Sequence, residues 1–155
     1  MTDRITPTQP RLMIRPIELR DSAEVCILTR QLGYDRSVDE IVHWIHSLKD
    51  RISSQAAFVA NLGDEVVGWI EINIEHRLQS APCALIGGLV VKDGFRNQRI
   101  GLRLCECAEL WSWEAGVAAV RVTSRSTRLD AHRFYLNNGY SLTKISHIFE
   151  KQRPE

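Results

Sequence analysis

The chain has 155 residues, of which 44% are hydrophobic and 25% charged, and its formal net charge is +1 at pH 7. A chain of this length forms one domain that can bury a full core. The near-neutral charge argues against a nucleic-acid binder, which is usually strongly basic on one face. The apolar runs are too short for a membrane span and the first residues lack the apolar core of a signal peptide, so we expect a cytoplasmic protein.

The chain contains four cysteines, at positions 26, 83, 105 and 107. A chain this long and hydrophobic does not need a disulfide scaffold. Cys105 and Cys107 lie two apart on a predicted helix, so their side chains point to different faces and cannot jointly hold zinc. We therefore expect reduced cysteines and assign no metal.

The first third of the chain predicts one strand and two helices after a flexible lead-in over residues 1–11. The strand is predicted over 12–19, at a sheet edge or bent because it contains a proline. The spacing Asp21-Ser22-Ala23-Glu24 is that of a capping box, and Gly33 ends the helix that follows. A clearer capping box, Ser37-Val38-Asp39-Glu40, begins a second helix with an apolar stripe.

Three strands are predicted in the middle of the chain, over 57–62, 66–75 and 82–91. The second strand alternates isoleucines with other residues, so its other face is partly exposed to solvent or lines a cleft. That face carries Trp69, Glu71, Asn73 and Glu75. The third strand is a nearly continuous apolar run, which predicts burial on both faces.

The last third predicts a helix over 100–115, a buried strand over 118–123, a helix over 130–137 and strands over 140–145 and 147–151. Trp111 and Trp113 lie two apart on the longer helix, so one packs inward and the other marks a surface patch that suggests a homodimer contact. Repeats, low-complexity segments and linkers are absent from the sequence. We therefore predict one mixed α/β domain over residues 12–155.

The stretch from Leu89 to Leu102 is the most informative part of the chain, because a buried strand leads through a basic loop into a helix. A helix N-terminus leaves its first N–H groups unpaired and carries partial positive charge, so it suits phosphate. Arg96 and Arg99 add side-chain donors that match phosphate geometry. The predicted ligand therefore carries a pyrophosphate, although the three-glycine dinucleotide fingerprint is missing.

The loop Arg96-Asn97-Gln98-Arg99-Ile100-Gly101 resembles the signature Arg/Gln-x-x-Gly-x-Gly/Ala of the GNAT superfamily of acetyl-CoA-dependent N-acetyltransferases. Arg96 and Gly101 match the outer positions. Arg99 replaces the central glycine, and a side chain makes a left-handed backbone conformation there energetically less favourable. The stretch Ala131–Tyr140 resembles the family's late helix, Ala-x-x-Phe-Tyr-x-x-x-Gly-Phe/Tyr. The order of the predicted strands and helices also agrees with that of the family, so the resemblance spans residues 12–151.

The resemblance implies a GNAT-type acyl-CoA N-acyltransferase fold, with a mostly antiparallel mixed α/β sheet that is splayed between strands 4 and 5 and flanked by about four helices. It implies that the loop and helix wrap the pyrophosphate of coenzyme A, while the strand before them lies against the pantetheine arm. A backbone N–H near Leu89 would polarise the thioester oxygen. The implied cofactor-binding residues are Leu89, Val90, Val91, Arg96, Asn97, Gln98, Arg99, Ile100, Gly101 and Leu102.

The resemblance also implies an acid and a base for acetyl transfer. Tyr135 of the Phe-Tyr motif is the candidate acid, because a phenol is protonated at neutral pH and can donate to the departing thiolate. Several relatives place a glutamate early in the strand before the loop, but residues 83–86 contain no carboxylate. Glu71 is therefore the first candidate for the base, ahead of Glu75 and His76. A base that acts through ordered water, or an amine that arrives neutral, stays open.

The predicted activity is transfer of an acetyl group from acetyl-CoA to a primary amine by direct attack in a ternary complex. The acceptor is a small molecule or a peptide, and neither nucleic acid nor a membrane is expected as a partner. A non-catalytic acyl-CoA sensor or assembly module of the same fold is the alternative, favoured by the missing carboxylate. A third interpretation, a nucleotide-phosphate protein of another fold, predicts binding of ATP or NAD instead.

Overall fold

The computed structural model describes residues 9–155, so most of the predicted lead-in lies outside the described residues. Within this range the helices and strands are β1 (Leu12–Pro16), α1 (Ser22–Leu32), α2 (Val38–Leu48), β2 (Gln55–Leu62), β3 (Glu65–Arg77), β4 (Ser80–Val91), α3 (Ile100–Glu114), β5 (Val120–Val122) and α4 (Leu129–Asn137). Short 3₁₀ turns occupy Leu19–Asp21 and Lys49–Arg51. The chain divides into two compact units, one reaching to Thr123 and one comprising Ser124–Glu155.

The first unit contains a sheet with the strand order β1-β2-β3-β4-β5. The first four strands pair antiparallel with their neighbours, while β5 runs parallel to β4. Pairing between β4 and β5 covers only Ala84–Ile86 against Val120–Val122, although β4 continues to Val91. The predicted splayed, mostly antiparallel sheet is therefore confirmed.

The period-2 alternation of β3 decides which of its side chains enter the core. Ile70 and Ile72 are fully buried. Trp69, Glu71 and Asn73, which alternate with them, are only half buried. Trp69 packs at the margin of an apolar cluster to which α1 contributes, so this face of the sheet lies toward α1. The predicted division of β3 into an apolar face and a half-wet face is correct.

A glycine lets α3 approach the opposite face of β3. A Cβ atom on Gly68 would lie 2.8 Å from the carbonyl oxygen of Val90 and 3.1 Å from Cδ1 of Leu104 on α3. Such distances are below ordinary van der Waals contact, so any side chain at position 68 would push the helix or the neighbouring strand away. The glycine thereby brings the start of α3 close to the end of β4.

Of the two predicted capping boxes, only the second forms. Ser37 Oγ accepts from the Glu40 N–H at 3.1 Å, and the Glu40 carboxylate accepts from the Ser37 N–H at 3.2 Å. Asp21 makes no cap bond to α1 and instead accepts two hydrogen bonds from Arg15, at 2.7 and 2.8 Å. The Asp21 carboxylate is buried, so a guanidinium partner outweighs a cap bond.

The two strands predicted at the C-terminus are wrong for the described structure. Residues 141–151 are neither strand nor helix, and their apolar side chains are exposed. These include Leu142, Ile145, Ile148 and Phe149. An apolar, β-branched segment becomes a strand only when a neighbouring strand supplies its hydrogen bonds, so propensity alone did not suffice.

Burial also departs from prediction in β4 and β5. The first residues of β4, Ser80–Pro82, and its Gly87 are exposed, and β5 is at most half buried. On α3, Trp111 is half buried and Trp113 is exposed next to exposed Leu110, as the spacing predicts. In the described part of the chain, no helix combines the length and the apolar character needed to cross a membrane.

Candidate active site

The residues predicted to bind the cofactor form one continuous strand–loop–helix segment. Leu89, Val90 and Val91 end β4, the loop carries residues 96–99, and the first turn of α3 begins at Ile100. The Val90 side chain is buried in the core with Val25 and Leu28 of α1. The Val90 side chain therefore serves packing, and only the backbone of this residue is available to a ligand.

Two loop residues other than glycine adopt left-handed backbone conformations. Asn97 has φ 67° and Arg99 has φ 63°. Arg99 is the residue that stands where the signature has its central glycine, and it is the N-cap of α3. Such a conformation costs a residue with a Cβ atom about 1–2 kcal/mol. The loop thus keeps a left-handed conformation at the position of the signature glycine, and this lowers the stability of the folded chain.

The N-terminus of α3 has the properties of an anion site. The first turn of any helix has N–H groups without an intrahelical acceptor, and Arg99 supplies no side-chain cap to them. The first turn carries no acidic residue that could compete with an anionic ligand. The helix is 15 residues long, and its dipole adds partial positive charge at this end. These residues therefore fit a pyrophosphate group.

The loop arginines are exposed and can reach a ligand. Arg96 contacts the Asp93 carboxylate at 3.2 Å, and both side chains are mostly exposed. An exposed pair of this kind contributes at most about 1 kcal/mol, so a phosphate can replace Asp93 as the partner of Arg96. Arg99 is exposed as well.

Gln31 of α1 binds the backbone of the predicted cofactor segment, although no sequence pattern predicts this contact. Its Nε2 donates to the Val91 carbonyl at 2.8 Å, and its Oε1 accepts from the Asp93 N–H at 3.0 Å. The amide thus binds the backbone on both sides of Lys92, where β4 ends. No motif marks a glutamine 60 residues away, so only the packing of α1 on the sheet reveals this contact.

A β-bulge interrupts β4 opposite Glu71. Glu71 pairs with Gly88 and Ile72 with Ile86, which leaves Gly87 as an extra residue in β4. A Cβ atom on Gly87 would lie only 1.9 Å from Glu71 Oε2. The carboxylate therefore lies against the bulge, where an exposed glycine leaves the backbone open. Bulges commonly adjoin active sites, where they redirect backbone and side-chain groups.

The surroundings of Glu71 suit a proton acceptor. Burial raises the pKa of this carboxyl group, while a hydrogen bond from Gln55 and the positive charge of Arg51 act in the opposite direction. The Gln55 amide donates from Nε2 to Glu71 Oε1 at 2.7 Å. A carboxylate whose pKa is raised accepts a proton more readily than an exposed one.

The two other candidates for the base have less favourable surroundings. Glu75 lies further along β3, and its Oε2 forms an ion pair with Nη2 of the exposed Arg77 at 2.7 Å. His76 is exposed. A second irregularity of the ladder lies between Glu75 and Arg77, but only Glu71 of the three lies against Gly87, and it is the candidate that the geometry favours.

Tyr135 lies in the second unit, in the middle of α4. Its ring packs edge-on against the rings of Phe134 and Tyr140, with centroid distances of 5.2 and 5.5 Å. The ring is half buried, so the aromatic body contributes to packing. This environment is compatible with a phenol that also donates a proton, and the assigned role stays a prediction.

We expect Arg99→Gly to raise the free energy of unfolding by about 1 kcal/mol, because glycine relieves the left-handed strain. Urea denaturation measures the change. Arg103→Gly is the matched control: Arg103 lies within α3, where glycine should destabilise by about 1 kcal/mol. A loss of stability in both variants would contradict the strain at position 99.

Comparison with known proteins identifies similar sequences. The model of the "Acetyltransferase (GNAT) family" matches residues 23–140. An aminoalkylphosphonate N-acetyltransferase from Salmonella typhimurium strain LT2 is 36% identical over 117 residues, which cover 65% of this chain and 74% of that protein.

Solved structures share the fold at lower identity. An aminoglycoside N-acetyltransferase in complex with CoA superposes with a TM-score of 0.84 at 16% identity, covering 96% of this chain and 99% of that chain. Glucosamine-6-phosphate N-acetyltransferase from Arabidopsis thaliana gives 0.80 at 17% identity, covering 92% and 99%. At these identities the likeness shows the fold.

Proposed function

The chain belongs to the GNAT family and is an acetyl-CoA-dependent N-acetyltransferase, and we propose that its acceptor is an aminoalkylphosphonate. The observation that carries this proposal is the 36% identity with an aminoalkylphosphonate N-acetyltransferase. The carboxylate of Glu71 beside the bulge supports an amine acceptor of any class, since a carboxylate attracts an ammonium group, and the phosphonate rests on the relative alone.

We propose direct attack in a ternary complex. Glu71 takes a proton from the ammonium group of the acceptor, and the neutral amine nitrogen that results attacks the thioester carbonyl. A C–N bond forms, the C–S bond breaks and the nitrogen releases its second proton to solvent, while Tyr135 gives a proton to the departing thiolate. The backbone near Leu89, beyond the part of β4 that pairs with β5, stabilises the oxyanion. Residues 96–102 hold the pyrophosphate of the donor.

A thiol-release assay with matched acceptors tests the substrate class. Aminomethylphosphonate is compared with glycine, and 1-aminoethylphosphonate with alanine, because each pair differs only in phosphonate against carboxylate. An aminoglycoside serves as a third class. We expect the highest kcat/KM with the phosphonates. A preference for the aminoglycoside or for the carboxylates would overturn the acceptor and leave the acetyltransferase activity intact.

We expect Tyr135→Phe to lower kcat by about ten- to a thousandfold, the usual range for an acid–base residue. The affinity for acetyl-CoA should change little, because the ring and its packing remain. Steady-state kinetics and calorimetric titration with acetyl-CoA measure the two effects separately. Phe134→Leu is the control for a packing defect, and full activity of Tyr135→Phe would show that Tyr135 only packs.

The non-catalytic alternative loses its main support if Glu71 acts as the base. β4 lacks a carboxylate at the expected position, but β3 presents one opposite Gly88. Tight acetyl-CoA binding without thiol release for any amine would favour the binding module.

We also retain two predictions: a cytoplasmic location, supported by four free cysteines, and a homodimer contact through exposed Leu110 and Trp113.

A further inference from the structure

A line of hydrogen bonds connects the end of α2 to Glu71. Nη2 of Arg51 donates to Ser47 Oγ at 3.1 Å, and Nε of the same guanidinium donates to Gln55 Oε1 at 2.7 Å. Gln55 Nε2 then donates to Glu71 Oε1 at 2.7 Å. Four side chains from α2, the 3₁₀ turn, β2 and β3 thus form one chain of contacts.

Arg51 is held from several directions. Its guanidinium lies over the ring of Trp44, with 5.9 Å between Cζ and the ring centroid. Ser47 Oγ donates to the Trp44 carbonyl at 2.8 Å, which leaves its lone pairs for Arg51. The main chain is fixed as well, because the Arg51 carbonyl accepts from the Ser54 N–H at 2.9 Å. A guanidinium fixed in this way can define the orientation of its neighbour.

The order of donors and acceptors determines which way the Gln55 amide points. Arginine can only donate, so the amide oxygen of Gln55 must face Arg51. The amide nitrogen then faces Glu71 and donates a hydrogen bond to Oε1. The other oxygen, Oε2, is the one that lies against the bulge at Gly87. If the amide were reversed, its oxygen would face the carboxylate and repel it.

We propose that Arg51 and Gln55 are positioning residues: Arg51 fixes the Gln55 amide, which engages Oε1 of Glu71 and so presents Oε2 to the amine beside the bulge. The proposal rests on the proposed role of Glu71 as the base. The two residues do not touch the reacting atoms. They act by holding the carboxylate in one orientation and by keeping it ionised.

Few other charges surround Glu71. β4 offers only Gly87 and Gly88 opposite it, and β2 offers the neutral Gln55. On β3, Glu75 is paired with Arg77. The histidines of α2, at positions 43 and 46, are exposed. Arg51 is thus the cation that stabilises the ionised carboxylate.

The test compares Gln55→Met, Arg51→Met and Arg51→Lys with the unmodified protein. We expect the two methionine variants to lower kcat by roughly ten- to a hundredfold, the cost of a misplaced catalytic group. The KM for acetyl-CoA should not change. The acid limb of the kcat/KM profile should move to higher pH, because both substitutions remove a group that favours the ionised carboxylate. Arg51→Lys keeps the charge and should keep the limb near its original position.

Parallel measurements separate the failure of this proposal from that of the base assignment. A carboxyl ¹³C titration of Glu71 reports its pKa without turnover, and thermal melting checks folding. If Arg51→Met does not fold, Gln55→Met carries the test. Full activity in Glu71→Gln would overturn the base. An inactive Glu71→Gln together with unchanged kcat and acid limb in Gln55→Met would overturn only the positioning role.

Discussion

We expect Glu71→Gln to lower kcat by about 10²–10⁴-fold, the contribution of a general base, because an amide cannot accept the proton of the amine. Glutamine has nearly the same shape, so the KM for acetyl-CoA should change little. In the unmodified enzyme, kcat/KM should fall at low pH as Glu71 becomes protonated. Burial raises the pKa of this carboxyl group, so the fall should begin at a higher pH than for an exposed glutamate. The variant should lose this acid limb.

Two further variants separate catalysis from general damage. Glu75→Gln removes a carboxylate from the same strand, one that is paired with Arg77, and should leave kcat nearly unchanged. Gly87→Ala introduces a methyl group 1.9 Å from the position of Glu71 Oε2, so the carboxylate must move while the backbone need not. We expect this variant to fold and to lose activity. Full activity in Glu71→Gln would mean that ordered water takes the proton or that the amine arrives neutral.

We expect Gly101→Leu to raise the Kd for acetyl-CoA by roughly two orders of magnitude. The residue lies in the first turn of α3, and a large side chain there would block the approach of phosphate to the N–H groups, each worth about 1.5–3 kcal/mol when the acceptor is charged. Arg96→Met should weaken binding by about tenfold, the lower end of that range, since it removes one charge-assisted contact. Calorimetric titration with acetyl-CoA and with free coenzyme A measures both changes.

Arg103→Met is the matched control for the arginine. Arg103 is exposed one turn further along α3, past the free N–H groups, because its own N–H already bonds to the Arg99 carbonyl at 3.0 Å. Its replacement should leave the Kd nearly unchanged at physiological salt, where the Debye length is about 8 Å. An unchanged Kd in both Gly101→Leu and Arg96→Met would remove the phosphate assignment.

Short-range patterns predicted much of this fold. The Ser37–Glu40 capping box, the helix that Gly33 ends and the alternation of β3 each depend on neighbours within a few residues, and each occurs in the structure. The Asp21 cap failed because Arg15, six residues away, offers a charged partner to a buried carboxylate. The C-terminal strands failed because strand formation requires a partner that the segment itself does not supply.

The sequence by itself predicts the donor side of this enzyme. A strand, a basic loop and a helix start are contiguous, so the predicted anion site between Arg96 and Leu102 depends on one local stretch, and the family resemblance extends it to acetyl-CoA. Only the tertiary structure decided how Glu71 is held. Its partners lie 16 residues away at Gln55 and across the β3–β4 ladder at Gly87, and the bulge depends on the register between two strands. Local pattern cannot specify register or burial, because both depend on which distant segments come to lie side by side.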